Sequence, residues 1–192
     1  MRQTSEACLR NRGPILDALR PRLPPGLVLE IASGTGQHAA WLGGALPNTW
    51  QPSERTPEWR ESIAEWCAGL PNVLPPLALD VTEAWPIDHA DAVFCANMIH
   101  IAPWAATLAL LEGAARVLPT GGLLFLYGPF RIRGAMAPSN VDFDAWLKAR
   151  DPAYGVRDLE ALQAAAPALE LAERVELPAN NLLTMWRRQA RG

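Results

Sequence analysis

An apolar run over residues 27–32 (LVLEIA) breaks on residues 33–36 (SGTG) and resumes with helical spacing over residues 37–46 (QHAAWLGGAL). A short apolar stretch without alternation reads as a strand buried on both faces, and glycines directly after it permit positive φ in a tight strand-to-helix turn. A strand that passes into a helix, where the pattern repeats, argues for a parallel sheet covered on both faces.

The same alternation continues downstream. It predicts a short strand near 49–54, a helix at 57–69 opening on Pro57, and a strand at 73–79 weakened by its prolines. Next come a strand at 90–96, a helix at 104–117 and a strand at 122–128. Residues 168–189 differ: two apolar runs are joined only by the turn-rich PANN, a connection too short for anything but antiparallel neighbours. The expected fold is α/β, a Rossmann-like doubly wound seven-stranded sheet, mostly parallel, with a C-terminal antiparallel hairpin. One domain over residues 1–192 is expected, with an N-terminal helical segment (1–22) and a helical lid or cap inserted at 129–167. Ser139 or Asn140 stands where a helix N-cap belongs in that insertion.

Composition narrows the function classes. The chain has 192 residues, 49% of them hydrophobic, which suits one well-buried domain. A net charge of −3 gives no basic footprint for nucleic acid, and no apolar run is long enough to span a bilayer. The three scattered cysteines, Cys8, Cys67 and Cys95, form no metal-ligand spacing and suit reduced thiols in a cytoplasmic protein. No metal is expected.

Open α/β sheets bind ligands at the carboxyl ends of their strands. That rule selects residues 32–36, Ser53, Glu54, Asp80, residues 97–100 and residues 128–131. If the penultimate strand runs with the others, the turn Ala179-Asn180-Asn181 joins the same edge. The pattern Gly34-x-Gly36-x-x-Ala39, with Glu54 ending the next strand, fits a dinucleotide loop and equally a loop for S-adenosyl-L-methionine. Three features favour the second. Glu30 adds a carboxylate that would repel a pyrophosphate and favour a sulfonium. Asp80 is placed for the exocyclic amine of an adenine. The terminal hairpin is not required by a dehydrogenase topology.

The segments LEIASGTGQHAAWL, WQPSE, LALDVTEAWP, ANMIHIAPW, YGPF, SNVDFDAWLKARDPAYGVRDLE and LPANNLLTMWRR resemble, in order, the domain of unknown function 938 family, relatives of methyltransferase-like protein 26. The resemblance runs from about Arg10-Asn11 to Arg188 and implies a class I S-adenosylmethionine-dependent methyltransferase fold. Glu54 replaces the aspartate more usual in the family, and Arg131 stands where a lysine is expected.

The expected cofactor residues are Glu30, Ala32, Ser33, Gly34, Gly36, Glu54, Asp80 and Asn97. His100, three residues past the fourth strand, is the expected general base, because histidine titrates in the useful range. His38 reads instead as a helix-face residue near the cofactor. The methyl acceptor is expected to be a small molecule. Arg10, Asn11, Phe130, Asn140, Arg150, Arg157, Asn180 and Asn181 are its candidate contacts, the two latter arginines for an anionic group. Helical spacing puts Trp41, Trp59, Trp66 and Trp146 in packing roles and leaves Trp104 as the tryptophan nearest the pocket. An NAD-dependent oxidoreductase and a non-catalytic interaction protein are the rival readings.

Overall fold

In the computed structural model, which describes residues 1–190, helix α1 (Glu6–Leu19) precedes the first sheet strand. The alternation then follows as β1 (Leu27–Ile31), α2 (Gln37–Ala45), β2 (Thr49–Glu54), α3 (Pro57–Cys67), β3 (Leu77–Ala78) and β4 (Ala92–Ala96). After a single 3₁₀ turn (Met98–His100) come α4 (Trp104–Val117), β5 (Leu123–Gly128), α5 (Pro138–Arg150), α6 (Leu159–Ala165), β6 (Leu169–Leu177) and β7 (Asn181–Arg188).

The strands form one seven-stranded sheet in the order β3-β2-β1-β4-β5-β7-β6. β1 pairs in parallel with β2 on one side and β4 on the other, so the strand order reverses beside it. β7 inserts antiparallel between β5 and β6, which makes β6 run with the parallel strands. The PANN turn therefore does reach the carboxyl edge of the sheet.

Alternation along β1 assigns its side chains to two layers. Leu29 and Ile31 join Val93, Cys95, Leu124 and Leu126 against α4 and α6. Val28 lies on the opposite face with Phe94 and Phe125, against α1, α2 and α3. Glu30 shares that second face. Cys95 is core, as its apolar run suggests.

Two local expectations fail for identifiable reasons. Pro75 and Pro76 remove ladder donors, so β3 shrinks to two residues and Val73 keeps only an isolated bridge to Trp50. Helix α5 starts with Pro138 in its first turn and Ala137 at the N-cap, so neither Ser139 nor Asn140 caps it. The Asn140 amide donates instead to the Asn180 carbonyl at 3.1 Å. Among the described residues, no helix is long and apolar enough to cross a membrane.

Candidate functional site

A cavity of about 620 Å³ opens at the carboxyl ends of β1, β2 and β4, next to the switch in strand order. Residues 31–35, 54–56, 79–82 and 96–98 form its floor and walls. Helix α1 closes over it through Ser5, Ala7, Cys8 and Asn11, and Tyr154 closes it from the segment after α5.

The loop after β1 takes its shape from unusual backbone angles. Ala32, Gly34 and Gly36 have φ of 53°, 53° and 91°, and Asn97 at the end of β4 has φ of 62°. The two glycines serve different ends. A Cβ on Gly34 would meet nothing within 4 Å, so this backbone faces open space on the cavity wall. A Cβ on Gly36 would stand 2.6 Å from the Ile63 Cα, so this glycine lets α3 pack against the turn. Gly36 does not line the cavity, which corrects its placement among the cofactor contacts.

Glu54 is held at the end of β2 by three backbone donors. Its Oε2 accepts from Gly34 N–H at 3.1 Å, and its Oε1 from the N–H groups of Arg55 and Thr56 at 2.9 and 3.3 Å. Asp80 is fixed by an Asx-type turn in which Oδ1 accepts from the Thr82 N–H and hydroxyl at 3.0 and 2.7 Å. Those hydrogen bonds, chiefly from the Thr82 backbone, hold its carboxyl below the usual range. The Asp80 side chain thus serves its own turn and also lines the cavity. Ser33 ties the loop to β2, its hydroxyl accepting from Ser53 N–H at 3.2 Å. Ala32, Ser33, Gly34, Glu54, Asp80 and Asn97 all line the cavity.

Glu30 does not. It is buried on the α1–α3 face, where its Oε2 accepts from the Trp50 indole N–H at 2.7 Å. Burial pushes its carboxyl up to about 8, so at neutral pH the group is mostly the neutral acid. It supplies neither the wall of the cavity nor the anion expected to repel a pyrophosphate.

His100 also departs from expectation. It is fully buried outside the cavity, edge-on to Phe130 with ring centroids 5.3 Å apart. Burial, aided by the Arg157 cation, lowers its pKa to about 3, and its Nδ1 accepts from Arg157 N–H at 3.3 Å. A histidine sealed from the cavity has no access to an acceptor there. Its ring packs against Phe130, and this burial does not fit the expected role of His100 as general base.

The arginines expected to bind an anion are engaged or remote. Arg157 donates to three carbonyls, of Ile99 at 2.8 Å, Ala102 at 2.6 Å and Ala153 at 2.9 Å, and so clamps the 3₁₀ turn to the segment after α5. Arg150 stacks on the exposed Trp146 at 4.2 Å, and Arg10 is exposed outside the cavity lining. Asp144 binds Lys148 at 2.6 Å and accepts from Val156 N–H at 2.8 Å, so the charge-rich insertion is largely bonded within itself.

Phe130, Asn140, Asn180 and Asn181 come together around a second, shallower cavity of about 360 Å³ between the PANN turn and the start of α5. Of the eight expected acceptor contacts, Asn11 alone lines the larger cavity. Trp104 lies outside it beneath Arg157, whereas Trp59 lines it; Trp41, Trp59 and Trp146 are each more than a third exposed. Among the contributors that spacing did not reveal are Cys8 and Tyr154, because α1 and the post-α5 segment reach the cavity only through tertiary packing, and Trp59, which α3 brings to the same wall. His38 lines it as well.

The fold has many solved counterparts. The mitomycin 7-O-methyltransferase MmcR superposes with a TM-score of 0.82 at 19% identity, over 95% of this chain and 54% of that one. Human N-acetylserotonin methyltransferase in complex with SAM gives 0.80 at 15% identity, over 96% and 53%. The N-methyltransferase NodS from Bradyrhizobium japonicum WM9 gives 0.70 at 16%, over 97% and 99%. The chain thus spans just over half the length of the first two and nearly all of the third. These likenesses establish a Rossmann-like methyltransferase fold, with β7 antiparallel between β5 and β6. The model of the protein of unknown function family DUF938 matches residues 2–188, and the chain belongs to that family.

Proposed function

We propose that the chain binds S-adenosylmethionine in the larger cavity and transfers its methyl group to a small molecule. The observation that carries this reading is the Glu54 carboxylate, pinned by backbone donors beside the open Gly34 backbone, with Asp80 ending the neighbouring strand segment. A carboxylate at the end of β2 accepts from two ribose hydroxyls, and its extra methylene relative to aspartate preserves that geometry. The lining carboxylates face one lining cation, Arg55, whose side chain is largely exposed and pairs with Asp80 at 3.8 Å. That balance suits a cofactor bearing a sulfonium and an ammonium better than one bearing a pyrophosphate.

The bound cofactor supplies an activated methyl group; the chain's residues supply position and exclusion of water. Glu54 and Asp80 hold the nucleoside end, the 32–34 backbone and Asn97 form the adjacent wall, and α1 covers the site. A small-molecule acceptor fits a cavity of about 620 Å³ lined in part by α1 and Tyr154.

Calorimetric titration with S-adenosylmethionine, S-adenosylhomocysteine and NAD tests this reading. Micromolar affinity for the first two, weakened at least tenfold in Glu54→Ala, is expected. Preference for NAD contradicts it, and binding of none favours a non-catalytic interaction protein.

A further inference from the structure

On the α1 side of the cavity, three polar side chains from two helices converge. His38 stands in the first turn of α2, Cys8 and Asn11 on α1, and all three line the cavity. His38 Nε2 lies 2.7 Å from Asn11 Oδ1. An amide oxygen only accepts, so the ring N–H sits on Nε2 and the lone pair on Nδ1. The partner within reach of Nδ1 is the Cys8 thiol at 3.9 Å, a weak donor at the limit of contact.

We propose that His38 is the group in this site that takes a proton from the methyl acceptor, with Asn11 positioning its ring, and that the acceptor is a neutral hydroxyl, thiol or amine carrying that proton. This rests on the reading of the cavity as a methyl-transfer site. A hydroxyl, thiol or amine displaces the weak Cys8 contact and donates its X–H to Nδ1. The X lone pair forms the bond to the methyl carbon, the carbon–sulfur pair goes to the cofactor sulfur, and the X–H proton passes to Nδ1. The resulting imidazolium keeps its Nε2–H on Asn11 and releases the new proton to solvent. Carboxylate acceptors need no such proton removal; Arg10, Arg150 and Arg157 lie outside the cavity, and the lining Arg55 already pairs with Asp80 at 3.8 Å.

The surroundings fit a neutral ring. Burial lowers the His38 pKa to about 4, so Nδ1 is free to accept at neutral pH. The titratable groups nearby are Cys8 on α1, held as a thiol chiefly by burial, Glu30 on β1, mostly protonated at neutral pH, and Tyr127 on β5. Burial likewise holds Tyr127 as the phenol, beside the Asn11 and Asn181 side chains and near the Arg10 charge.

The test has two arms. In the first, calorimetry with S-adenosylhomocysteine should give His38→Gln the affinity of the wild type. Absent binding in both proteins defeats the methyl-transfer reading itself. In the second, label transfer from methyl-tritiated cofactor is followed to phenol, benzyl alcohol, benzylamine, benzyl mercaptan and benzoate. A proton acceptor contributes on the order of 10²-fold or more, so His38→Gln should lose that much kcat with its cofactor KM unchanged. Asn11→Asp, which keeps the acceptor oxygen but adds charge, should move the acid limb of the pH–rate profile to higher pH. Wild-type turnover of benzoate alone overturns the proposal. So does transfer to none of the five despite cofactor binding, a His38→Gln kcat within threefold of wild type, or an Asn11→Asp profile superposable on the wild type.

Discussion

Glu30 shows how one residue can be located by its sequence and misread in its chemistry. Its position in a strand buried on both faces was legible, and so was the cost of an unpaired carboxylate there. The face was not, because alternation assigns Glu30 to the side of Val28 without saying which layer covers it. The cost is met by protonation and by the Trp50 N–H rather than by a ligand. A consequence follows for stability. The folded pKa of about 8 lies above the ordinary 4.5, so the fold favours the protonated form. That contribution is whole below about pH 4.5 and is lost as pH rises through 8, at up to about 1.4 kcal/mol per pH unit. Glu30→Gln is permanently neutral and keeps an oxygen for Trp50. Its melting temperature relative to wild type should therefore rise between pH 5 and 8; a difference independent of pH refutes the buried-acid assignment. Glu54 and Asp80, by contrast, were readable because strand ends fix where their side chains emerge. His100 was not, since three residues of 3₁₀ turn carry it behind the sheet edge, away from the cavity.

At the scale of elements, α2, α4 and the paired β6 and β7 were legible from periodicity and turn chemistry, while β3 was overread across two prolines. The insertion after β5 was harder. Its arginines and carboxylates have the composition of an anion site, yet their partners are set by packing that sequence spacing does not encode. Arg157 joins the 3₁₀ turn to the segment after α5 through carbonyls of both. Removing it leaves the part-buried Ile99 and Ala102 carbonyls short of donors, so Arg157→Ala should cost about 1–3 kcal/mol in urea denaturation. Affinity for S-adenosylhomocysteine, measured on the folded variant, should stay within threefold of wild type. A tenfold loss of affinity with unchanged stability would return Arg157 to the binding machinery.

For the whole molecule, the alternation of strands and helices, closed by one short hairpin, contained most of the topology. It brought the polar strand ends to one edge, where the larger cavity lies; the switch point beside β1 is read from the strand order of the fold. It could not show α1 folding over that edge, because a helix before the first strand has no sheet register to fix it. Asn11 and His38 are expected near the pocket from the sequence, but their mutual contact and the part played by Cys8 emerge only in the assembled fold. Whether this edge holds S-adenosylmethionine, as proposed, is tested most directly by a crystal structure with S-adenosylhomocysteine. The ribose hydroxyls should lie within hydrogen-bond distance of Glu54, with the adenine amine at Asp80. Density for the ligand in any other position, with the cavity beneath α1 filled by solvent, would contradict it.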